Sequence, residues 1–374
     1  MLPRIDRLTR IKEERKVDAF LLTSPATVKH LSGYFYYFET GQSPFHLIPA
    51  ALFVVPDSSA SLVIADNEMH QAAFLDPEIV IKPYSSYVFD KPLEFTKQFL
   101  VELHDVIELN GMGNARIGIE QNSFPFVILN SLTSKFPKIE IVDVTPEIAF
   151  LRMVKDPDEI ECISRAANLC DVGQTAVLKH ARIGITELEL FSIVRSEMEA
   201  FVATRVPLMI DLISGVNTSS GGGLPTNKSL RSGDLILSDL TPCLNGYWGD
   251  SCNTMVIGNP SSAQKKTFNL VKEALEIGIN SIRPGVQAKE IDRLMRQHIG
   301  NYPHHSGHGI GAMYHEEPRI VPYNSTKLLP NMVIALEPAI YEKDYGIRLE
   351  HLVVVTESGC EILTKFQHCF EQFS

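Results

Sequence analysis

The stretch LILSDLTPCLNGYWGDSCNTMVI, residues 235–257, decides the fold of the second half of this chain. It consists of two apolar runs that contain Asp239 and Asp250 and are joined by Asn245-Gly246. Because Asn-Gly is the dipeptide preferred in type I′ turns, the pattern predicts a β-hairpin. Side chains alternate between the two faces of a strand, so both aspartates are expected on one face of this hairpin.

The expected register places Thr241 opposite Asp250 and Cys252 opposite Asp239. The two aspartates are then diagonal neighbours with backbones roughly 7–8 Å apart. That separation can bracket two metal ions about 3.5–4 Å apart. The alternative is a hairpin with two surface acids, but an acid inside an apolar run such as LILSDL is seldom a surface residue.

A second acidic hairpin is predicted nearer the C-terminus. The apolar runs MVIALEPAIY and GIRLEHLVVVT carry Glu337 and Glu350, with the polar segment EKDYG between them. The offsets from Asp239 to Glu337 and from Asp250 to Glu350 are 98 and 100 residues, and GITELEL at 184–190 precedes GVQAKEI by 101. These near-equal offsets predict a duplicated unit, with one acidic hairpin from each half meeting at a pseudo-twofold axis.

The phrase HHSGHGIG adds an imidazole, His308, to the four carboxylates. Such an oxygen-rich set suits two divalent ions better than one. Two ions that share a water can supply hydroxide at neutral pH, so hydrolysis is the predicted reaction class. The predicted metal ligands are Asp239, Asp250, His308, Glu337 and Glu350.

Length and composition predict a two-domain protein of 374 residues, divided into 1–150 and 151–374. The net charge of −11 argues against nucleic-acid binding. The charged start MLPRIDRLTRIKEERK has no apolar signal core, and no run reaches the ~18 apolar residues of a membrane span. The six cysteines lack C-x-x-C spacing and are expected to be reduced thiols, which favours a cytoplasmic location.

An α+β organisation is predicted. DAFLLT, ALFVVPD-SSASLVIAD, ARIGIEQ and IEIVDV are strand-like, and FVILNSLTSKF is helix-like. The aromatic segment 33–45 is predicted to be a structured loop. From Asp156, an N-cap before Pro157, the second domain is expected to run helix, helix, strand and acidic hairpin, and then to repeat this order from Ser261, with helices flanking a curved antiparallel sheet.

With these phrases in place, the chain resembles the M24 metallopeptidase family, in its aminopeptidase P, prolidase and creatinase branch. The resemblance implies a "pita-bread" C-terminal domain after an N-terminal α/β domain of the creatinase/prolidase type. It also implies that the five ligands hold two divalent ions. Manganese is expected, with cobalt, zinc or iron as alternatives, and a homodimer is expected by the same resemblance.

Further site residues follow from the resemblance. His304 and His315 resemble the histidines on the substrate side of the site, and Arg348 resembles an arginine that helps to hold substrate. Glu337 is the expected general base, His315 the donor to the carbonyl oxygen, and His304 an orienting group or proton relay. His305 and His298 are interpreted as structural residues.

The chain departs from the family pattern at three positions. Gly222 stands where proline-directed members carry a histidine, seventeen residues before the first metal aspartate. Cys252 replaces a usual threonine, and His351 replaces an aspartate after the last ligand. A glycine offers no side chain to a substrate carboxylate.

The leading hypothesis is therefore an Xaa-Pro dipeptidase or aminopeptidase acting on short peptides. The alternative is a non-peptidase amidohydrolase of the same fold, acting on a creatine-like molecule or a cyclic amidine such as an ectoine-type compound. A catalytically inactive binding module is a third hypothesis, which the complete ligand set disfavours. Neither nucleic acid nor membrane is expected as a partner.

Overall fold

The computed structural model describes residues 3–35, 50–72 and 75–371. The chain divides into two compact units, Met1–Arg152 and Met153–Ser374. Most of the predicted aromatic loop, residues 36–45, lies outside the described residues. Within the described ranges, no helix has both the length and the apolar character needed to cross a membrane.

The first unit is built on one six-stranded sheet. Its strands are β1 (Ala19–Leu22), β2 (Ala50–Val55), β3 (Ser59–Ala65), β4 (Ile79–Tyr84), β5 (Arg116–Ile119) and β6 (Glu140–Asp143). Their order is β4-β3-β2-β1-β5-β6, with antiparallel pairing of β2 to both β1 and β3 and parallel pairing elsewhere. The predicted strands and the hairpin between β2 and β3 are confirmed.

Helices surround this sheet because its central strands are apolar on both faces. Strands β1 and β2 are buried along their whole length, and they contribute side chains to two separate apolar clusters. Burial of both faces requires a layer on each side of the sheet. The helices of this part of the chain are α1 (Pro3–Asp6), α2 (Leu8–Arg15), α3 (Pro25–Ser32), α4 (Met69–Ala72), α5 (Phe95–Leu109), α6 (Phe126–Lys135) and α7 (Thr145–Met153).

The second unit opens with the two predicted helices, and each of them begins with a capping box. Asp156 and Glu159 form a capping box at the start of the first, and Thr186 and Glu189 form one at the second. The helices are α8 (Pro157–His180) and α9 (Glu187–Val202), followed by strands β7 (Leu208–Ser214), β8 (Leu235–Leu244), β9 (Tyr247–Trp248) and β10 (Ser251–Val256).

The same order then begins again. The later elements are α10 (Ser262–Ser281), α11 (Ala288–Ile299), β11 (Gly307–Gly309), β12 (Glu316–Ile320), β13 (Val333–Leu336), β14 (Ala339–Tyr341), β15 (Gly346–Arg348), β16 (His351–Val355) and β17 (Cys360–Ile362). All strand pairs of this unit are antiparallel; β10-β8-β7 form one sheet, β12-β11-β13-β16-β17 a second, and β14-β15 a third.

The predicted duplication is confirmed by matching hydrogen bonds in the two halves. Gly184 N–H donates to the carbonyl of Leu230 (2.9 Å), and Gly285 N–H donates to the carbonyl of Leu328 (2.8 Å). Both glycines adopt a positive φ, +89° and +85°, which a residue with a Cβ rarely adopts. Each therefore makes the same turn before the second helix of its half.

The first acidic hairpin has the predicted geometry. Asn245 and Gly246 both have a positive φ, 52° and 82°, as a type I′ turn requires. Cys252 is the partner of Asp239, and the hydroxyl of Thr241 donates a hydrogen bond to Oδ1 of Asp250 (3.0 Å).

The second acidic hairpin is not the pair of continuous strands that its apolar runs predict. Its outer part pairs β13 with β16, its tip pairs β14 with β15, and the two parts belong to different sheets. The interruption falls at Glu337-Pro338 and Leu349-Glu350. Here the amides of Glu337 and Glu350 leave the ladder and donate to the carbonyls of Ser306 and Cys252.

Candidate metal centre

The five predicted metal ligands converge at one place, and elements of both halves position them. Asp239 lies within β8, and Asp250 lies between β9 and β10. His308 lies in β11, while Glu337 and Glu350 occupy the two breaks in the second hairpin. Ligand atoms of Asp250, His308 and Glu350 all lie within 4.8 Å of one another.

The imidazole of His308 is oriented towards the acids. Its Nδ1 donates to the carbonyl of Gly309 (3.0 Å), since a carbonyl can only accept. Its Nε2 therefore faces Oδ2 of Asp250 at 3.7 Å and Oε1 of Glu337 at 3.6 Å. Burial lowers the pKa of His308 to about 4, so the ring is neutral at pH 7, which is the form that binds metal.

The acids are buried together, and repulsion between their negative charges raises the pKa values of Asp250 and Glu350. Burial, and then the charges of Asp239 and Glu337, raise the pKa of Asp250 well above its usual range. Burial and the charges of Asp250 and Asp239 raise the pKa of Glu350 well above its usual range. Glu337 differs: burial raises its pKa, but the hydrogen bond with His305 and the charges of His308 and Arg348 outweigh that effect and lower it to about 2.

The donor set fits divalent cations. Oδ1 of Asp239 is buried and has no hydrogen-bond donor among the described residues. A buried carboxylate oxygen without a donor costs free energy unless a cation compensates it. Four carboxylates and one neutral imidazole would balance the formal charge of two divalent ions, which explains how so many acids can be buried in one place.

A cavity of about 630 Å³ opens onto these acids. Its apolar lining includes Phe191, Leu208 and Leu224. Its polar lining includes the five ligand candidates together with Tyr314 and His315. The ring of His315 lies 4.3 Å from that of His308 and is exposed, so it faces any molecule that enters the cavity.

Arg348 and His304 belong to one hydrogen-bonded chain beside the acids. Arg348 is buried and donates to a carboxylate oxygen of Asp239, to the carbonyl of Gly221 and to the hydroxyl of Tyr341. That hydroxyl is 2.9 Å from Nε2 of His304, whose Nδ1 donates to the carbonyl of His305 and lies 3.7 Å from Oε2 of Glu337.

His305 lies closer to the acids than its interpretation as a structural residue implied. Its Nε2 is 2.9 Å from Oε1 of Glu337, and its ligand atom groups with those of His308 and His315. The contact places the ring beside the candidate ligand Glu337, and whether His305 is a structural or a site residue stays a prediction. His298, by contrast, is an exposed residue of α11 and contacts Glu273 of α10 at 3.0 Å.

Two of the three departures from the family pattern, the buried Cys252 and the half-buried His351, adjoin ligand candidates, since Cys252 pairs with Asp239 across the strands and His351 follows Glu350 in the chain. Cys252 is fully buried against the carbonyl of Arg348 (3.6 Å), and burial raises the pKa of its thiol well above its usual range. His351 contacts the hydroxyl of Thr364 (2.8 Å) and packs 4.1 Å from the ring of His368.

The third departure, Gly222, contacts a residue that the sequence reasoning missed. A Cβ at Gly222 would lie 2.3 Å from Oδ2 of Asp211, a carboxylate that lines the cavity. Asp211 lies in the apolar run LMIDLIS, which shows the same acid-in-strand pattern that identified Asp239. That signal was available in the sequence.

Comparison with known proteins gives the family. The model of metallopeptidase family M24 matches residues 161–357, more than half of the chain, and the creatinase/prolidase N-terminal domain matches residues 4–154. The chain therefore belongs to metallopeptidase family M24. It has the two-domain fold of that family, with a creatinase-like first domain and a pita-bread second domain.

Relatives match along nearly the whole length. An Xaa-Pro dipeptidase of Pyrococcus furiosus is 29% identical over 372 residues, which cover 98% of each protein. The structure of a prolidase from Pyrococcus horikoshii matches with a TM-score of 0.83 at 27% identity, over 98% of this chain and 99% of the other. An Xaa-Pro dipeptidase from Bacillus anthracis matches with a TM-score of 0.84 at 25% identity, over 98% of each chain.

Proposed function

We propose that this member of metallopeptidase family M24 hydrolyses the Xaa-Pro bond of short peptides, using two divalent metal ions. The observation that carries the proposal is the convergence of Asp239, Asp250, His308, Glu337 and Glu350 on one cavity large enough for a small peptide. The Xaa-Pro dipeptidases among its relatives supply the bond type.

These five residues would hold the ions. Carboxylate-rich sites suit manganese, which is the ion we propose, while the imidazole of His308 is also compatible with cobalt, zinc or iron. When bound, the ions supply Lewis acidity, which activates water for attack at neutral pH.

Residues of the chain would then accept the proton of the attacking water and stabilise the negative charge that develops on the carbonyl oxygen. The pKa of Glu337, lowered to about 2, keeps this carboxylate ionised and able to accept a proton from the attacking water. Burial lowers the pKa of His315, so its neutral ring offers an N–H to the carbonyl oxygen of the scissile bond. His304 would act through Tyr341 and Arg348 to orient the substrate side of the site.

Arg348 has a more specific proposed role than substrate binding in general. Its guanidinium is buried and donates to protein acceptors, including Asp239. We therefore propose that it fixes the orientation of Asp239 as a ligand. A contact from Arg348 to substrate remains a prediction.

A second candidate function is hydrolysis of a small amide or cyclic amidine. Asp211 favours it, because this carboxylate lines the cavity and would attract a cationic amidine or guanidine. The test compares Ala-Pro and Xaa-Pro-Xaa peptides with creatine and a cyclic amidine, each with manganese added. Turnover of the small molecules alone would replace the peptidase proposal.

Metal analysis tests enzymatic function independently of substrate. The expected stoichiometry is two ions per chain. It should fall in the Glu350→Gln variant but not in the Glu361→Gln variant, because the side chain of Glu361 is exposed on β17. A chain that binds no divalent ion and gains no activity with any of them would be a binding module.

Compartment and assembly are also proposals. The six cysteines, all among the described residues, form no disulfide bond with one another, which supports a reducing compartment such as the cytoplasm. A homodimer is proposed on the family resemblance, and light scattering of the purified chain at several concentrations tests it.

A further inference from the structure

Asp211 is the one carboxylate outside the ligand set among the described residues that line the cavity. It lies on β7 directly opposite Asp239 on β8. About a third of its side chain, 36%, is exposed. It is therefore accessible to a molecule in the cavity, next to the proposed metal centre.

The loop that contains Gly222 and Gly223 fixes the position of this carboxylate. The amide of Gly223 donates to Oδ1 of Asp211 (2.8 Å), and Gly222 leaves the space that Oδ2 occupies. Any side chain at Gly222 would collide with Oδ2, since a Cβ there would lie only 2.3 Å away. The position of Asp211 therefore requires a glycine at residue 222.

The local charges leave no free cation for a substrate carboxylate. Nη2 of Arg348 lies 3.6 Å from Oδ2 of Asp211, but the same guanidinium already donates to Asp239 and to the carbonyl of Gly221. No lysine or arginine is among the described residues that line the cavity. Arg348 is thus occupied by protein acceptors, and Asp211 is the charged group beside it that a molecule in the cavity can reach.

We propose that Asp211 determines specificity by binding a positively charged nitrogen group of the substrate and by disfavouring a carboxylate at the same place. The group is either the free amino terminus of a peptide or the guanidinium or ammonium of a basic side chain. This inference rests on the proposed function, because it takes this cavity as the substrate site.

The test measures equilibrium binding, so that it does not depend on turnover. Calorimetry at pH 7 with manganese-loaded protein compares alaninamide with N-acetylalaninamide, which lacks the amino-terminal charge. It also compares N-acetylargininamide with N-acetylcitrullinamide, which lacks the side-chain charge. The variants are Asp211→Asn, which keeps the acceptor for Gly223 N–H, and Asp105→Asn, an exposed control in the first unit.

The expected result is that the charged member of one pair binds about three- to tenfold more tightly, as a partly exposed ion pair contributes. Asp211→Asn should bring that ratio close to one, and Asp105→Asn should leave it unchanged. The pair that discriminates identifies the source of the cation. Equal binding within both pairs, or discrimination that survives in Asp211→Asn, overturns the inference.

A separate assay of Ala-Pro and Ala-Pro-amide hydrolysis distinguishes this failure from failure of the proposed function. Charge discrimination without any Xaa-Pro hydrolysis would leave Asp211 as a specificity residue of another reaction. Hydrolysis without charge discrimination would retain the peptidase and remove the role of Asp211.

Discussion

Glu350→Gln should change the stability of this protein in opposite directions with and without metal. In the metal-free chain, Glu350 is a buried carboxylate beside Asp250 and Asp239, whose charges raise its pKa. Glutamine has nearly the same shape and no charge, so it removes the repulsion. In the metal-loaded chain the same substitution removes a ligand, and the ions then stabilise the fold less.

The magnitude follows from the separation of the groups. Ligand atoms of Asp250 and Glu350 lie within 4.8 Å of each other. Two like charges at that distance repel by about 3.5 kcal/mol at an effective dielectric constant of about 20. Protonation relieves part of this repulsion, so the expected gain in metal-free stability is about 1–3 kcal/mol.

The sign of the pH dependence can be stated as well. A carboxyl group whose pKa is higher in the folded than in the unfolded chain destabilises the fold once the pH exceeds the unfolded pKa. The advantage of Glu350→Gln over the original chain should therefore grow between pH 5 and pH 8. With ions in hundredfold excess over their dissociation constant, the original chain should gain about 2.7 kcal/mol, and the variant less than about 1 kcal/mol.

Urea unfolding followed by fluorescence tests these values, because Trp248 is the sole tryptophan and reports on the second unit. Each protein is unfolded in chelator and in excess manganese. Glu361→Gln, with a 65% exposed side chain, is the control and should change stability by less than about 0.5 kcal/mol. A less stable Glu350→Gln chain in chelator, or equal stabilisation of both proteins by manganese, would refute the reasoning.

Three further outcomes are expected. Asp292→Ala should cost about 3–5 kcal/mol of unfolding free energy, because it removes the buried carboxylate partner of the half-buried Arg296, and Asp292→Asn should cost less in the same urea assay. His305→Ala should lower kcat about tenfold and move the acidic limb of the pH–rate profile upwards, since it removes a contact that lowers the pKa of Glu337. Burial lowers the pKa of His351 to about 4, so protonation of this residue should lower the unfolding free energy of the metal-free protein by about 3 kcal/mol as the pH falls from 6.5 to 4. The variant His351→Gln should abolish that loss, and His298→Gln should not.

The first acidic hairpin could be predicted from sequence because its determinants are local. Asn245 and Gly246 set the turn, the turn sets the register, and the register places Asp239 and Asp250. The second hairpin depends on contacts that lie far apart in sequence. Glu350 N–H bonds to the carbonyl of Cys252 on β10, and no pattern within the second hairpin encodes that partner.

Asp211 could be noticed in the sequence as an acid within an apolar strand, but its contact with Gly222 at the cavity could not be predicted, for a related reason. The ligands of a duplicated unit recur at similar offsets, so each half provides a check on the other. Asp211 has no such counterpart, and its position depends on a contact with Gly222 through a loop that contains no periodic pattern. The contact of His305 with Glu337 likewise depends on the irregular segment before β11, where no sequence pattern fixes the direction of the ring.

These two classes of residue constrain the chemistry differently. In the proposed function the five ligand candidates provide for the activation of water, and that role is equally compatible with a peptide and with a small amidine. Asp211 and the buried Arg348 determine which end of a molecule this cavity tolerates, since one is an accessible anion and the other a cation already bound to protein. The choice between the two proposed substrates therefore depends on the charge next to the scissile bond, and a neutral or cationic group at that place is what the geometry favours.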